Sequence, residues 1–144
     1  MRERRMGAVA VGLALALVAT LSGCSGETGT NPSDETQTNV SSLNLGPAEG
    51  GNGMLTVGSR NVTVEASVTW NNAVNDIDLY ATPSSCPDPA TLAAGGCTII
   101  TRAESTSARP ERITFTGTAN TTYKLFVINW GPGSDTVTLT FTWR

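Results

Sequence analysis

The chain has 144 residues, with 9 Lys and Arg against 12 Asp and Glu, and it contains no His. Its formal charge of -3 is the reverse of the basic footprint that nucleic-acid binding needs, so no nucleic-acid partner is expected. The missing His removes the commonest general base and the commonest metal ligand, and no enzyme is expected.

Residues 1–23 have the layout of a bacterial secretory signal. Arg2, Arg4 and Arg5 form a positive start, and Met6 to Leu21 is an apolar run of Gly, Ala, Val and Leu. That run is short for a membrane span of about 20 residues, and the Ser-Gly-Cys-Ser-Gly-Glu that follows is not a basic stop-transfer flank. Leu21-Ser22-Gly23-Cys24 resembles the lipobox of bacterial lipoproteins. The resemblance implies cleavage before Cys24 and a diacylglyceryl group on its thiol. Each buried CH₂ of such a chain contributes about 0.8 kcal/mol of membrane affinity. Ser25 resembles an export-permitting residue. It implies an outer-membrane address in a Gram-negative envelope, or otherwise the outer face of the cytoplasmic membrane.

Residues 24–52 read as the lipidated Cys and a flexible linker. Gly, Ser, Thr, Asn and acidic residues dominate, and Val40, Leu43 and Leu45 are nearly the only large apolar side chains. Such a segment buries too little surface to offset its ordering entropy. Leu43-Asn44-Leu45 is the one stretch that suits an opening strand.

Residues 53–144 read as an all-β domain, an antiparallel β-sandwich of about seven or eight strands. Leu55 and Val57 suggest a first short strand. Val62, Val64, Ala66, Val68 and Trp70 alternate with Thr63, Glu65, Ser67 and Thr69, the period of a half-buried strand. Ile77 and Leu79 alternate with Asp76, Asp78 and Tyr80. One turn of helix fits Asp88 to Ala94, and a short strand fits Cys97 to Thr101. Ile113 and Phe115 alternate with Thr114 and Thr116. Thr122 to Trp130 is apolar on both faces, as a central strand is. Val137, Leu139, Phe141 and Trp143 alternate with four Thr. Asn71-Asn72, Pro87 to Pro89, Gly95-Gly96, Ala119-Asn120 and Gly131-Pro132-Gly133 separate these runs.

Apart from Cys24, the cysteines are Cys86 and Cys97. An even pair in an oxidising compartment reads as a disulfide. Two free thiols or a metal pair are the alternatives, though without His or further Cys no zinc set exists.

Four motifs occur in order: WNNAVNDIDLY at 70–80, PERITF at 110–115, TYKLFV at 122–127 and DTVTLTF at 135–141. Together they resemble the bacterial pre-peptidase C-terminal domain, over about residues 53–144. The resemblance implies a jelly-roll-like β-sandwich of the kind appended to secreted proteases and other exported proteins. Some members bind calcium, and some bind collagen or polysaccharide. This chain departs in carrying no attached enzyme and in the Cys86–Cys97 loop. Before the first strand it offers only Glu49 as an acidic calcium ligand.

Asp76 and Asp78 are the chief candidates for chemistry. Two apart on one strand, their side chains leave the same face about 6.5–7 Å apart. Glycoside hydrolysis needs two carboxylates on opposite sides of a cleft, which neighbours on one strand do not provide. Calcium held by Asp76 and Asp78 with oxygens of Asn71, Asn72 or Asn75 is one reading. The other has Asp76 capping the turn and Asp78 pairing with an Arg or Thr. Trp70 and Trp143 continue apolar stripes and read as core or core edge. Trp130, before Gly-Pro-Gly, reads as an exposed aromatic that binds ligand together with Tyr80. Arg102, Arg109 and Arg112 read as a solvated rim. The expected function is a non-enzymatic, lipid-anchored envelope protein whose sandwich binds a polysaccharide or protein. The alternatives are a structural subunit or spacer of an envelope complex, or an accessory domain working with a secreted peptidase. Trp130 beside Tyr80 in a groove would favour sugar binding; a flat Thr/Ser surface would favour assembly.

Overall fold

A computed structural model describes residues 35–144. The stretch read as a secretory signal and lipobox, with Cys24, lies outside the described residues. Eight strands are present: β1 (Gln37–Leu45), β2 (Gly50–Thr56), β3 (Val62–Thr69), β4 (Ile77–Pro83), β5 (Thr101–Ala103), β6 (Glu111–Gly117), β7 (Thr122–Asn129) and β8 (Asp135–Trp143). A single helical turn, α1 (Pro89–Ala93), lies between β4 and β5. The strands form two antiparallel sheets in the orders β1-β8-β3-β6 and β2-β7-β4-β5. This is jelly-roll topology, two four-stranded sheets wound from consecutive strands.

The alternation seen in the sequence sets which face points inward. Val64, Val68, Ile113, Val137, Leu139 and Phe141 of the first sheet meet Leu55, Ile77, Leu79, Leu125 and Val127 of the second. Val64, Val68, Leu79, Val127 and Leu139 have no measurable exposure, so the centre of the sandwich is dry and closely packed. β7 is buried on both faces because it has two jobs. Tyr123, Leu125 and Val127 fill the sandwich, while Phe126 and Ile128 join Tyr80, Cys86 and Leu92 in a second cluster on the outer side of the sheet.

Three expectations are corrected. The linker read at 24–52 is structured from Gln37 onward. β1 pairs with β8 over nine positions, from Gln37 with Trp143 to Leu45 with Asp135. Its polar side chains are exposed while its backbone completes the sheet, so composition alone concealed it. The domain therefore begins before residue 53, and β2 opens at Gly50. The short strand placed at Cys97–Thr101 is instead Thr101–Ala103; Cys97 is held by its disulfide to Cys86, with Cα atoms 5.4 Å apart.

Candidate ligand-binding site

The outer face of the second sheet is built row by row from its register. Thr82 stands beside Lys124, and Lys124 beside Met54. Tyr80 stands between Arg102 and Phe126. Asp78 stands beside Ile128, which stands beside Gly50. One row further, the Trp130 backbone N–H donates to the Asp76 carbonyl at 2.8 Å. Period two along β4 thus brings Asp78 and Tyr80 to one face, as their spacing predicts, while Asp76 lies just before the strand.

Asp78 is buried, and the Tyr80 hydroxyl donates to its Oδ2 at 2.8 Å. Burial pushes the Asp78 carboxyl above its ordinary value. The Tyr80 hydroxyl and the nearby Trp130 indole oppose that shift, while the charges of Asp76 and Glu104 add to it. Burial also raises the Tyr80 hydroxyl, and its bond to Asp78 raises it further. Glu111 is raised by burial as well, although its carboxylate accepts from the Ser105 N–H at 2.9 Å. Asp76 differs from these groups, because its Oδ1 is buried with no hydrogen-bond partner.

A rigid polar corner holds this face in place. The Asn129 side chain, fully buried, donates to the Gly133 carbonyl at 2.7 Å and the Gly46 carbonyl at 3.1 Å, and accepts from the Gly131 N–H at 2.9 Å. It ties the β1–β2 and β7–β8 turns together. Asp135 Oδ2 accepts from the Asn72 N–H at 2.8 Å, and Asn75 Oδ1 accepts from the Gly133 N–H at 2.9 Å. A Cβ on Gly131 would stand 2.4 Å from Asn75 Cα, so only glycine lets these two loops meet. Arg109 donates to the Ala73 and Asn75 carbonyls and lies 5.0 Å over the Trp70 ring. Arg109, exposed as expected of a rim residue, also braces the Asn-rich loop.

Beside this corner lies a cleft of about 490 Å³, lined by Trp130, Ile128, Glu49, Gly50 and the α1 residues Pro89, Ala90 and Ala93, with Ala48 and Asp88. Trp130 is 47% exposed. The wall opposite is α1, held in three ways. Asp88 caps it by accepting from the Thr91 N–H at 2.7 Å, a bond that also holds the Asp88 carboxyl below its ordinary value. Leu92 is buried in the second cluster. The Cys86–Cys97 disulfide closes the loop that carries α1. A wider depression of about 530 Å³ near Asn44, Glu49 and Asp135 has no aromatic wall.

The two aromatics that the sequence put together lie close, with the Trp130 indole near the Tyr80 hydroxyl and Asp78, but they do not form one exposed surface. Trp130 is exposed in a groove, but Tyr80 is 6% exposed, does not line the cleft, and spends its hydroxyl on Asp78. Nor is Asp76 the cap of the Asn-rich turn; Asp135 has that role. Asp78 pairs with a Tyr instead of an Arg or Thr. Calcium takes six to eight oxygens, and two of the oxygens expected to join Asp76 and Asp78 are already engaged. Asn75 Oδ1 is committed to Gly133 and Asn72 Oδ1 accepts from the Val74 N–H. Among the described residues no three acidic, His or Cys side chains converge. Asp88, Pro89 and Ala93 escaped the sequence reading as site residues, and Glu49 was read only as a candidate calcium ligand, because all four meet Trp130 only through tertiary packing. Glu104 escaped it because its place beside Asp78 depends on the β4–β5 register.

No protein-family model matches the chain, and no curated protein matches it in sequence. Solved structures do match in fold. A mitogen derived from Yersinia pseudotuberculosis aligns with a TM-score of 0.53 at 12% identity, covering 75% of this chain and 86% of that one. The pre-peptidase C-terminal domain of a collagenase from Bacillus anthracis aligns with a TM-score of 0.52 at 15% identity, covering 74% and 88%. The fold is therefore like that of a pre-peptidase C-terminal domain.

Proposed function

We propose that the chain is a non-enzymatic, lipid-anchored protein of the bacterial cell envelope, and that its sandwich binds a polysaccharide in the Trp130 cleft. One observation carries this reading: a half-exposed indole forms one wall of a cleft whose other wall is a pinned helical turn. An exposed Trp is expensive to leave in water, and its flat face offers a large contact area at low entropy cost. The small side chains Ala90 and Ala93 on the α1 wall leave room for a rigid ring. Lipidation at Cys24 would put the attachment point thirteen positions before Gln37, a reach of at most about 45 Å when fully extended. The domain would then work close to the membrane surface.

The reading is tested by screening the full chain against glycans and envelope proteins, with Trp130→Ala in parallel. Glycan hits that weaken at least about tenfold in the variant are the expected outcome; hits that persist unchanged in the variant would overturn the cleft. Mass spectrometry of protein recovered from membranes tests the anchor. An acylated Cys24 is expected, and an unmodified Cys24 in mature protein would remove it from the proposal.

A second reading, an assembly subunit or spacer, has its own support. The outward face of the first sheet carries rows of hydroxyl side chains, with Thr138 beside Ser42 and Thr69, and Thr142 beside Thr38 and Glu65. Protein hits that ignore Trp130 and fail when Thr138 and Thr140 are replaced by Lys would favour it.

A further inference from the structure

Each four-stranded sheet ends in two edge strands, and three of the four edges are blunted against further pairing. β5 is only three residues long. β2 opens on Gly50 and Gly51, and α1 lies against its start, with Pro89 close to Gly50. β6 follows Pro110, carries Arg112 and packs against β4 and β5. Short length, charge and a covering element are the usual protections of an edge. β1 has none of them. Its nine residues, QTNVSSLNL, include no charged residue, no Gly and no Pro. They pair with β8 without a bulge, from Gln37 with Trp143 to Leu45 with Asp135. Among the described residues no strand pairs with the other side of β1. Every second residue of β1 therefore turns its N–H and C=O outward. The side chains add a second observation. Leu45 is buried in the core and Leu43 packs against it, but Val40 is 62% exposed on the outward face. Thr38 and Ser42 flank it on that face, both exposed.

We propose that β1 is a dimer edge, pairing antiparallel with β1 of a second copy about a twofold axis at Val40. A strand paired antiparallel with its own copy makes an isologous, closed contact. In this register Val40 meets its own copy, and Thr38 meets Ser42 of the partner subunit. A β-branched pair and hydroxyl pairs are favourable cross-strand neighbours, and no charge is set against its like. β1 thus complements itself: one apolar side chain on the axis, and a hydroxyl two residues away on either side. A shift of register would set Val40 opposite a polar residue and lose the match. The pairing joins the two first sheets into one of eight strands, and the Thr-rich outward face runs on across the junction. An edge contact of this kind buries less than the about 1,200 Å² of a stable interface. The dimer is therefore weak in dilute solution, and copies held on one membrane by the Cys24 anchor proposed above would favour it. The Trp130 cleft belongs to the other sheet and stays open in the dimer.

The test is disulfide trapping in the full chain at high concentration in detergent. Thr38→Cys, Val40→Cys and Ser42→Cys are made singly, with wild type as the background for Cys24 and Thr116→Cys, exposed on β6, as a control for random collision. Under mild oxidation Val40→Cys is expected to form covalent dimer at least about tenfold faster than Thr116→Cys, as a high local concentration requires. Thr38→Cys and Ser42→Cys should each stay monomeric alone and cross-link when mixed. Val40→Cys dimerising no faster than Thr116→Cys would overturn the proposal. Ser42→Cys linking to itself as readily as Val40→Cys would overturn the register and its axis. Sedimentation gives a measurement without cysteine: wild type should dimerise as its concentration rises, and Val40→Lys should stay monomeric at an unchanged melting midpoint. A wild-type chain that is monomeric throughout, or a Val40→Lys chain that dimerises equally well, would also overturn it.

Discussion

Asp78 is a carboxylate kept in a place that disfavours its charge. Its pKa is raised chiefly by burial, with Asp76 and Glu104 adding to the effect and the Tyr80 hydroxyl and Trp130 indole opposing it. The sign of the consequence follows. An acid whose folded pKa lies above its unfolded value favours the fold fully below the unfolded pKa, near 3.8. That advantage is lost as the pH rises through the folded pKa. At neutral pH the ionised Asp78 is therefore a net cost. Asp78→Asn keeps an acceptor for Tyr80 and removes the charge. The variant should melt higher than wild type at pH 7, with the gap closing as the pH falls toward 3.8. A gap that stays constant with pH would show that Asp78 is not the group responsible. The Asp76–Asp78 pair stood out in the sequence, but its role did not. Whether such a pair holds a cation or a tyrosine depends on which groups the register brings opposite it.

At the scale of the element, the cleft depends on α1 lying very close to β2. A Cβ on Gly50 would sit 2.5 Å from Pro89 Cβ and 3.2 Å from the Val127 carbonyl oxygen. Gly50→Ala should push α1 away from the sheet, costing about 1–3 kcal/mol of stability by overpacking. It should also weaken ligand binding without touching Trp130. A variant that binds normally despite its lowered melting point would show that the α1 wall is not needed. The helical turn itself was legible, because Asp88-Pro89 is a cap followed by a proline suited to the first helical position. Its position against Gly50 was not legible, because that contact joins residues far apart in sequence. β1 marks the opposite limit. An edge strand of Gln, Thr, Asn and Ser draws its stability from the ladder with β8, and its composition is that of a linker.

For the molecule as a whole, period-two alternation in Val62–Thr69 and Asp135–Trp143 announced the sandwich directly. The four ordered motifs pointed to a jelly roll, and the observed strand orders are those of one. The exposure of Trp130 was legible too, from its place before Gly131-Pro132-Gly133. The corner that holds it there was hidden, since Asn129, Asn75 and Asp135 look like ordinary turn residues until the two ends of the sandwich are brought together. The whole design places one aromatic at the surface and keeps the other two indoles occupied. Trp70 donates to the Asn75 carbonyl at 3.2 Å under Arg109, and Trp143 stacks on Phe141 at 5.8 Å. Three tryptophans in such different settings allow a direct test. The indole N–H resonances of the full chain are followed by NMR during titration with a glycan that binds in the screen. The expected result is a saturable shift of the Trp130 resonance, with those of Trp70 and Trp143 unmoved. A saturable shift confined to Trp70 or Trp143, or a silent Trp130 in a chain that demonstrably binds glycan, would contradict the cleft as the ligand site.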